Sequence, residues 1–189
     1  MPTLRERITA RIALLARPRV PETLPVKLDR RRVYVVPTRF GLFFTALLFA
    51  MLLGALNYNN NPALLLALLL GATGLANLIA AHLQLSGLRV DALSAEPVAA
   101  GTSLQVHVAL SAGDARARRG LQLRAADVQT TVPALTSEAV VAALEVETHQ
   151  RGWLDLGRLR ISSTQPLGLA FAWSWVWPDA PLLVYATPA

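Results

Sequence analysis

Hydrophobic positions follow three patterns along this chain. The middle one stands out: from Phe40 to Leu88 there is no Asp, Glu, Lys or Arg over 49 residues. A polar knot, Asn57-Tyr58-Asn59-Asn60-Asn61-Pro62, divides that stretch into two apolar runs. One helix needs roughly 20 apolar residues to cross the hydrocarbon core of a bilayer. The pattern therefore predicts a membrane α-hairpin over 40–85, with transmembrane helices at 40–56 and 63–83 and a turn at 57–62. At 1.5 Å per residue the first helix covers roughly 26 Å, slightly short of a typical core, and the second is long enough. Pro62 suits a helix start, where its missing N–H costs nothing. The asparagines before it suit a solvated turn.

After the hairpin the grammar changes to period two. Leu88, Val90 and Ala92 alternate with Arg89 and Asp91; Leu104, Val106, Val108 and Leu110 alternate with Gln105, His107 and Ala109. Leu121 and Leu123 flank Gln122, residues 139–147 are β-prone, and Leu159-Arg160-Ile161 continues the pattern. Turn residues recur between these runs. Short alternating strands punctuated in this way predict an all-β antiparallel sandwich over 86–189, Ig-like, with seven or eight strands.

Before the hairpin lies a basic segment, 1–39, with ten Lys/Arg against three acidic residues. Thr3-Leu4-Arg5-Glu6 has the form of a capping box, and Leu4, Ile8, Ile12 and Leu15 follow at helical spacing. The segment reads either as a short amphipathic helix on the inner leaflet or as a basic tail. Pro18, Pro21 and Pro25 forbid a continuous helix beyond it.

Charge adds orientation to this picture. The net charge of +6 is concentrated before the first span, where cations hold a chain end in the cytoplasm. Arg30, Arg31, Arg32 and Arg39 are the expected topology determinants. Two crossings return the chain to the same side. Both termini and the β domain should then be cytoplasmic, at a bacterial inner membrane. Cations placed directly before a span favour the lipid bilayer as their partner over nucleic acid. The charged residues ahead of the first apolar run, with no small-residue cleavage pattern after it, point to a retained helix, not a cleaved signal. Small residues at four-residue spacing, Ala46, Ala50 and Gly54 on the first span and Ala63, Ala67 and Gly71 on the second, predict close helix packing. Asn77 is expected to bond to the first helix, and His82 to sit at the interface.

Candidate chemistry is sparse. There is no cysteine, which excludes disulfides and thiolate metal sites. Phosphate-loop, dinucleotide, zinc-protease and hydrolase-elbow motifs are missing. His82, His107 and His149 lie far apart, Ser162-Ser163-Thr164 resembles a strand end, and Arg116, Arg118 and Arg119 read as a solvated loop. No catalytic, cofactor-binding or metal residue is expected. The candidate interface is Phe171, Trp173, Trp175 and Trp177, which share one face of a strand, opposite Ala170, Ala172, Ser174 and Val176. That stripe reads either as sandwich core or as a docking surface, where aromatic residues concentrate.

Several of these elements occur in an order that resembles a known family. Val35-Val36-Pro37-Thr38-Arg39-Phe40-Gly41 precedes the first span, and Leu56-Asn57-Tyr58-Asn59-Asn60-Asn61 forms the turn. Arg151-Gly152-Trp153, Ser163-Thr164-Gln165-Pro166-Leu167-Gly168-Leu169, Ala172-Trp173-Ser174-Trp175 and Val184-Tyr185-Ala186-Thr187-Pro188 follow. Together they resemble the N-terminal part of bacterial membrane proteins of the domain of unknown function 58 family. The resemblance covers about residue 33 to the end. It implies a two-span anchor, a β-sandwich and then a von Willebrand factor A-like domain, with MoxR-type AAA+ ATPases and transglutaminase-like membrane proteins as neighbours. The family's GLRxYxxGDxxRxIDW-like segment is expected just beyond Tyr185, and this sequence ends at Ala189 without it. On this reading the chain is a piece of a longer protein or a short gene product.

The expected function is that of a non-enzymatic membrane scaffold presenting its β-sandwich to a protein partner, in a MoxR AAA+ ATPase-linked maturation or assembly system. Two other classes stay open. One is an accessory to transglutaminase-like or metal-dependent chemistry in a neighbour or a missing domain. The other is a small transport component.

Overall fold

The structure is a computed structural model that describes residues 18–136 and 138–186. The amphipathic helix expected within 3–15 lies outside the described residues. Two helices form the hairpin: α1, Arg39–Asn57, and α2, Asn61–Leu85. Thr38 caps α1 by accepting the Gly41 N–H at 2.9 Å, and Asn60 caps α2 by accepting the Ala63 N–H at 3.1 Å. Between them Asn59 takes a left-handed conformation, φ 49°, which Asn tolerates better than most residues. The polar knot is thus a tight turn with a built-in cap.

Both helices are long and apolar enough to cross a membrane, with mean hydropathy 2.0 and 2.2. Only 11% of each apolar window is buried. A core helix of a water-soluble domain would be mostly covered; here Phe43, Leu47, Phe49, Leu53, Leu65 and Leu69 stand exposed.

Packing within the hairpin is asymmetric. On α2, Ala67 is buried, and Ala63 and Gly71 are half-buried, as the small-residue row predicts. On α1, Ala46 and Ala50 are exposed and Gly54 is half-buried. The first helix offers large side chains instead. Leu48 lies against Gly71 and Phe44 against Gly74. The face of α1 turned towards α2 carries positions 44, 48 and 55, which lie about two residues, roughly 200°, away from 46, 50 and 54. Small residues on one helix receive large ones from the other.

The β region has twelve strands in three sheets among the described residues, more than the seven or eight expected. The first sheet has the order β1 (Val26–Lys27), β3 (Leu88–Ala95), β5 (Ser103–Ala112), β8 (Val140–Glu147). The second runs β2 (Tyr34–Pro37), β11 (Ala170–Val176), β10 (Leu159–Ser163), β6 (Gln122–Ala125), β7 (Val128–Thr131). A small third sheet joins β4 (Val98–Ala99), β12 (Leu182–Tyr185) and β9 (Gly152–Leu154). Pairing is antiparallel except between β4 and β12. Strands of two or three residues are too short to show alternation, which accounts for part of the undercount.

The rest of the undercount comes from the segment before the hairpin. Its described part, residues 18–38, is woven into the domain. β1 pairs with β3, and β2 pairs with β11. Leu28 is fully buried, and its backbone bonds to Leu88 and Gly87. Arg30–Arg32 form a short 3-10 turn. Arg30 and Arg31 are exposed, but Arg32 is held by a two-fold hydrogen-bonded ion pair with Glu22, which raises its pKa above the ordinary value. A residue read as a topology determinant is therefore also a structural clamp.

Leu88, Val90, Leu104, Val106, Val108, Leu110, Leu123, Leu159 and Ile161 all point into one core, as period two predicts. One position departs. A bulge between Val90 and Ala92 shifts the register, so Ala92 is exposed and Leu93 and Ala95 pack against the core instead.

The hairpin joins this core directly. Ala81 and Leu85, in the last turns of α2, belong to the same buried cluster as Ala170, Ala172 and Ile161. The loop between β10 and β11 reaches up the hairpin as well. Asn77 is buried, and its Oδ1 accepts the Leu167 N–H at 3.0 Å. It bonds this loop and not the first helix, because Leu167 brings an unpaired backbone donor to it. Thr38 donates its backbone N–H to the Leu169 carbonyl at 2.9 Å and its hydroxyl to the Gly168 carbonyl at 2.6 Å.

Candidate functional site

Strand β11 carries small residues on one face and the aromatic stripe on the other. Ala170, Ala172, Ser174 and Val176 face inward and are fully buried. The end of α2 fills the space on that side, so small residues fit there. Phe171, Trp173, Trp175 and Trp177 occupy the other face and do not belong to the core cluster. The stripe lies outside that cluster, although Trp173 is itself buried.

Its rings are ordered by one another and by arginines. Phe171 stacks on Trp173 with centroids 5.5 Å apart, and Tyr34 of β2 stacks on Trp173 at 5.9 Å. Trp173 is consequently almost covered, while Phe171, Trp175 and Trp177 are half-buried. The neighbouring strand supplies cations, because Arg160 is the register partner of both Trp175 and Arg124. The Arg160 guanidinium carbon lies 5.9 Å from the Phe171 ring and 5.9 Å from the Trp175 ring. That of Arg158 lies 4.6 Å over Trp177. The sequence signal for this pairing was available in principle: with Trp175 and Arg160 both outward on adjacent antiparallel strands, their meeting needed only the register.

Three further placements bear on function. Arg118, read from sequence as part of a solvated loop, is 1% exposed. Its Nε donates to the Gln84 carbonyl at 3.0 Å and one Nη to the Ser86 carbonyl at 2.9 Å, at the C-terminal end of α2. The other Nη reaches Asp114 at 2.6 Å. A cation there meets the negative end of the helix dipole and the carbonyls a helix leaves unpaired. Its hydrogen bond in turn holds the Asp114 carboxyl below the usual carboxylate range.

Ser163 ends β10, and its hydroxyl accepts the Gln165 N–H at 3.1 Å, a turn contact and not a nucleophile arrangement. His107 lies on β5 and His149 in the loop after β8, and among the described residues no three His, Asp or Glu side chains come together as a metal site. One exposed aromatic escaped the site reading: Trp153 on β9, 71% exposed and paired with Leu183 of β12.

Compared with family models, with curated proteins and with solved structures, the chain has no match.

Proposed function

We propose that the chain is a non-enzymatic membrane scaffold. In this reading the hairpin sits in the bacterial inner membrane, both termini are cytoplasmic, and the outer face of the second sheet docks a protein partner. The observation that carries it is the apolar surface of α1 and α2, which the protein leaves almost wholly uncovered. In water such a surface would drive aggregation; in lipid it is the anchor. The cations before α1 support an inward N-terminus. The ordered row of aromatic and arginine side chains on an outer sheet face supports docking, since Trp, Tyr and Arg dominate binding energy at protein interfaces. The resemblance to the domain of unknown function 58 family points to an AAA+ ATPase of the MoxR type, or a transglutaminase-like membrane protein, as that partner.

Affinity capture of the full chain from native membranes tests the assignment of the face. Trp175→Ala should lose the co-purifying partner while Trp153→Ala keeps it, both variants retaining their fold by circular dichroism. The reverse pattern would move docking to the third sheet.

A further inference from the structure

The outer sheet face carries a cleft of about 520 Å3, lined by Arg124, Arg158 and Arg160 with Trp175 as its aromatic wall. Among the described residues no carboxylate lines it. Among the described residues the Arg160 guanidinium makes no hydrogen bond or ion pair, and its Nε is buried without a partner. The Nε of Arg158 is tied to the Pro18 carbonyl at 3.0 Å, and the Nε of Arg124 to the Ala126 carbonyl at 3.2 Å. These bonds hold two guanidinium groups in place, and among the described residues their outer nitrogens make no hydrogen bond.

Three cations that stay charged at any physiological pH thus share a wall without a counter-ion among the described residues. Burial, and then the neighbouring Arg124, push the Arg160 pKa below its ordinary value. A buried donor left unpaired is costly, and a planar guanidinium fork matches a carboxylate.

Resting on the scaffold reading above, we propose that this cleft receives an acidic segment of the protein partner. An Asp or Glu carboxylate would sit against Arg160 and Arg124, with the segment continuing along the Trp175–Phe171 row. Two other anionic or local occupants fit less well. The chain's own residues 1–17 carry Arg5, Arg7, Arg11 and Arg17 against Glu6, so their charge is of the wrong sign. A lipid headgroup is disfavoured by position. Trp175 lies five residues along β11 from Ala170, roughly 17 Å from the joint with the hairpin. The polar layer of one leaflet is only roughly 5–8 Å thick.

The test uses the full chain in phosphatidylcholine nanodiscs and a fluorescein-labelled hexaglutamate peptide, read by anisotropy. Saturable binding is expected, weakened at least about tenfold in Arg160→Gln. It should be partly kept in Arg160→Lys and unchanged in the exposed-loop control Arg151→Gln. Arg124→Gln gives a second reading should Arg160→Gln not fold. Absent binding, or equal loss in Arg151→Gln, overturns the proposal. Hexaglutamate binding abolished by adding phosphatidylglycerol to the nanodiscs, with Arg160 required for that competition, overturns it in favour of a headgroup. Membrane capture separates the two levels. A partner lost with Trp175→Ala but kept with Arg160→Gln sinks the acidic-segment inference and leaves the scaffold standing. A partner that depends on Trp153 and not on Trp175 sinks the cleft inference and moves docking to the third sheet, and no co-purifying partner at all sinks the scaffold.

Discussion

Arg118→Ala should destabilise the β domain by about 2–4 kcal/mol, from stranded helix-end carbonyls and a cavity, because the charge left behind on Asp114 is partly solvated. The substitution strands the carbonyls of Gln84 and Ser86 and removes the ion pair of Asp114. It also leaves a void against the end of α2, where Leu85 and Leu88 are fully buried. Urea unfolding in detergent micelles, followed by tryptophan fluorescence, measures this directly. Arg118→Lys should recover only part, because a point charge cannot bond both carbonyls and Asp114 together. A loss below about 1 kcal/mol for the alanine variant, the size of an ordinary surface change, would contradict the clamp.

The same network sets a pH dependence. Asp114 is held below the ordinary carboxylate value of about 3.9 by Arg118. A carboxyl with a depressed pKa in the folded state contributes stability that is present above the unfolded value and disappears as pH falls through the folded one. Part of the acid-side loss of stability below about pH 4 should therefore be missing in Arg118→Ala.

Gly41→Ala should be the second severe change, at about 2–3 kcal/mol, because a Cβ there collides with the Leu169 carbonyl oxygen. The obstacle is backbone, held in turn by the two hydrogen bonds from Thr38. Either α1 or the β10–β11 loop must move, and the joint between hairpin and domain opens. Faster proteolysis within 164–169, alongside the lower unfolding midpoint, reports that opening. Gly54→Ala is the matched control. It has open space around its Cβ and should be neutral or slightly stabilising through better helix propensity. Equal behaviour of the two variants would mean that the close approach at Gly41 does not hold the joint.

The hairpin was legible because absence of charge is a long-range signal that needs no register. The strands with four or more alternating positions were legible for a similar reason. The joint was only half legible. Thr38 and Gly41, and Pro166 to Leu169, stood out as two separate short elements, and nothing in the spacing told that the backbone of one packs on the other. Arg118 was misread because its burial is decided by helix carbonyls more than thirty positions earlier in the chain. The side of β11 facing the core was undecidable from pattern, since Ala and Trp positions both count as apolar. What settles it is that the end of α2 occupies the inner side and leaves room only for Ala170 and Ala172. Val26–Lys27 and Tyr34–Pro37 were hidden because short strands among prolines and arginines carry no alternation.

The proposed anchoring can be read most directly by cysteine accessibility, since the natural chain has no cysteine to confuse the signal. Tyr58→Cys places a thiol in the turn between the helices, and Arg151→Cys places one on an exposed loop of the β domain. With a membrane-impermeant maleimide on intact spheroplasts, Tyr58→Cys should be labelled at once and Arg151→Cys only after lysis. Labelling of Arg151→Cys in intact spheroplasts, or recovery of either protein in the soluble fraction without detergent, would contradict the account.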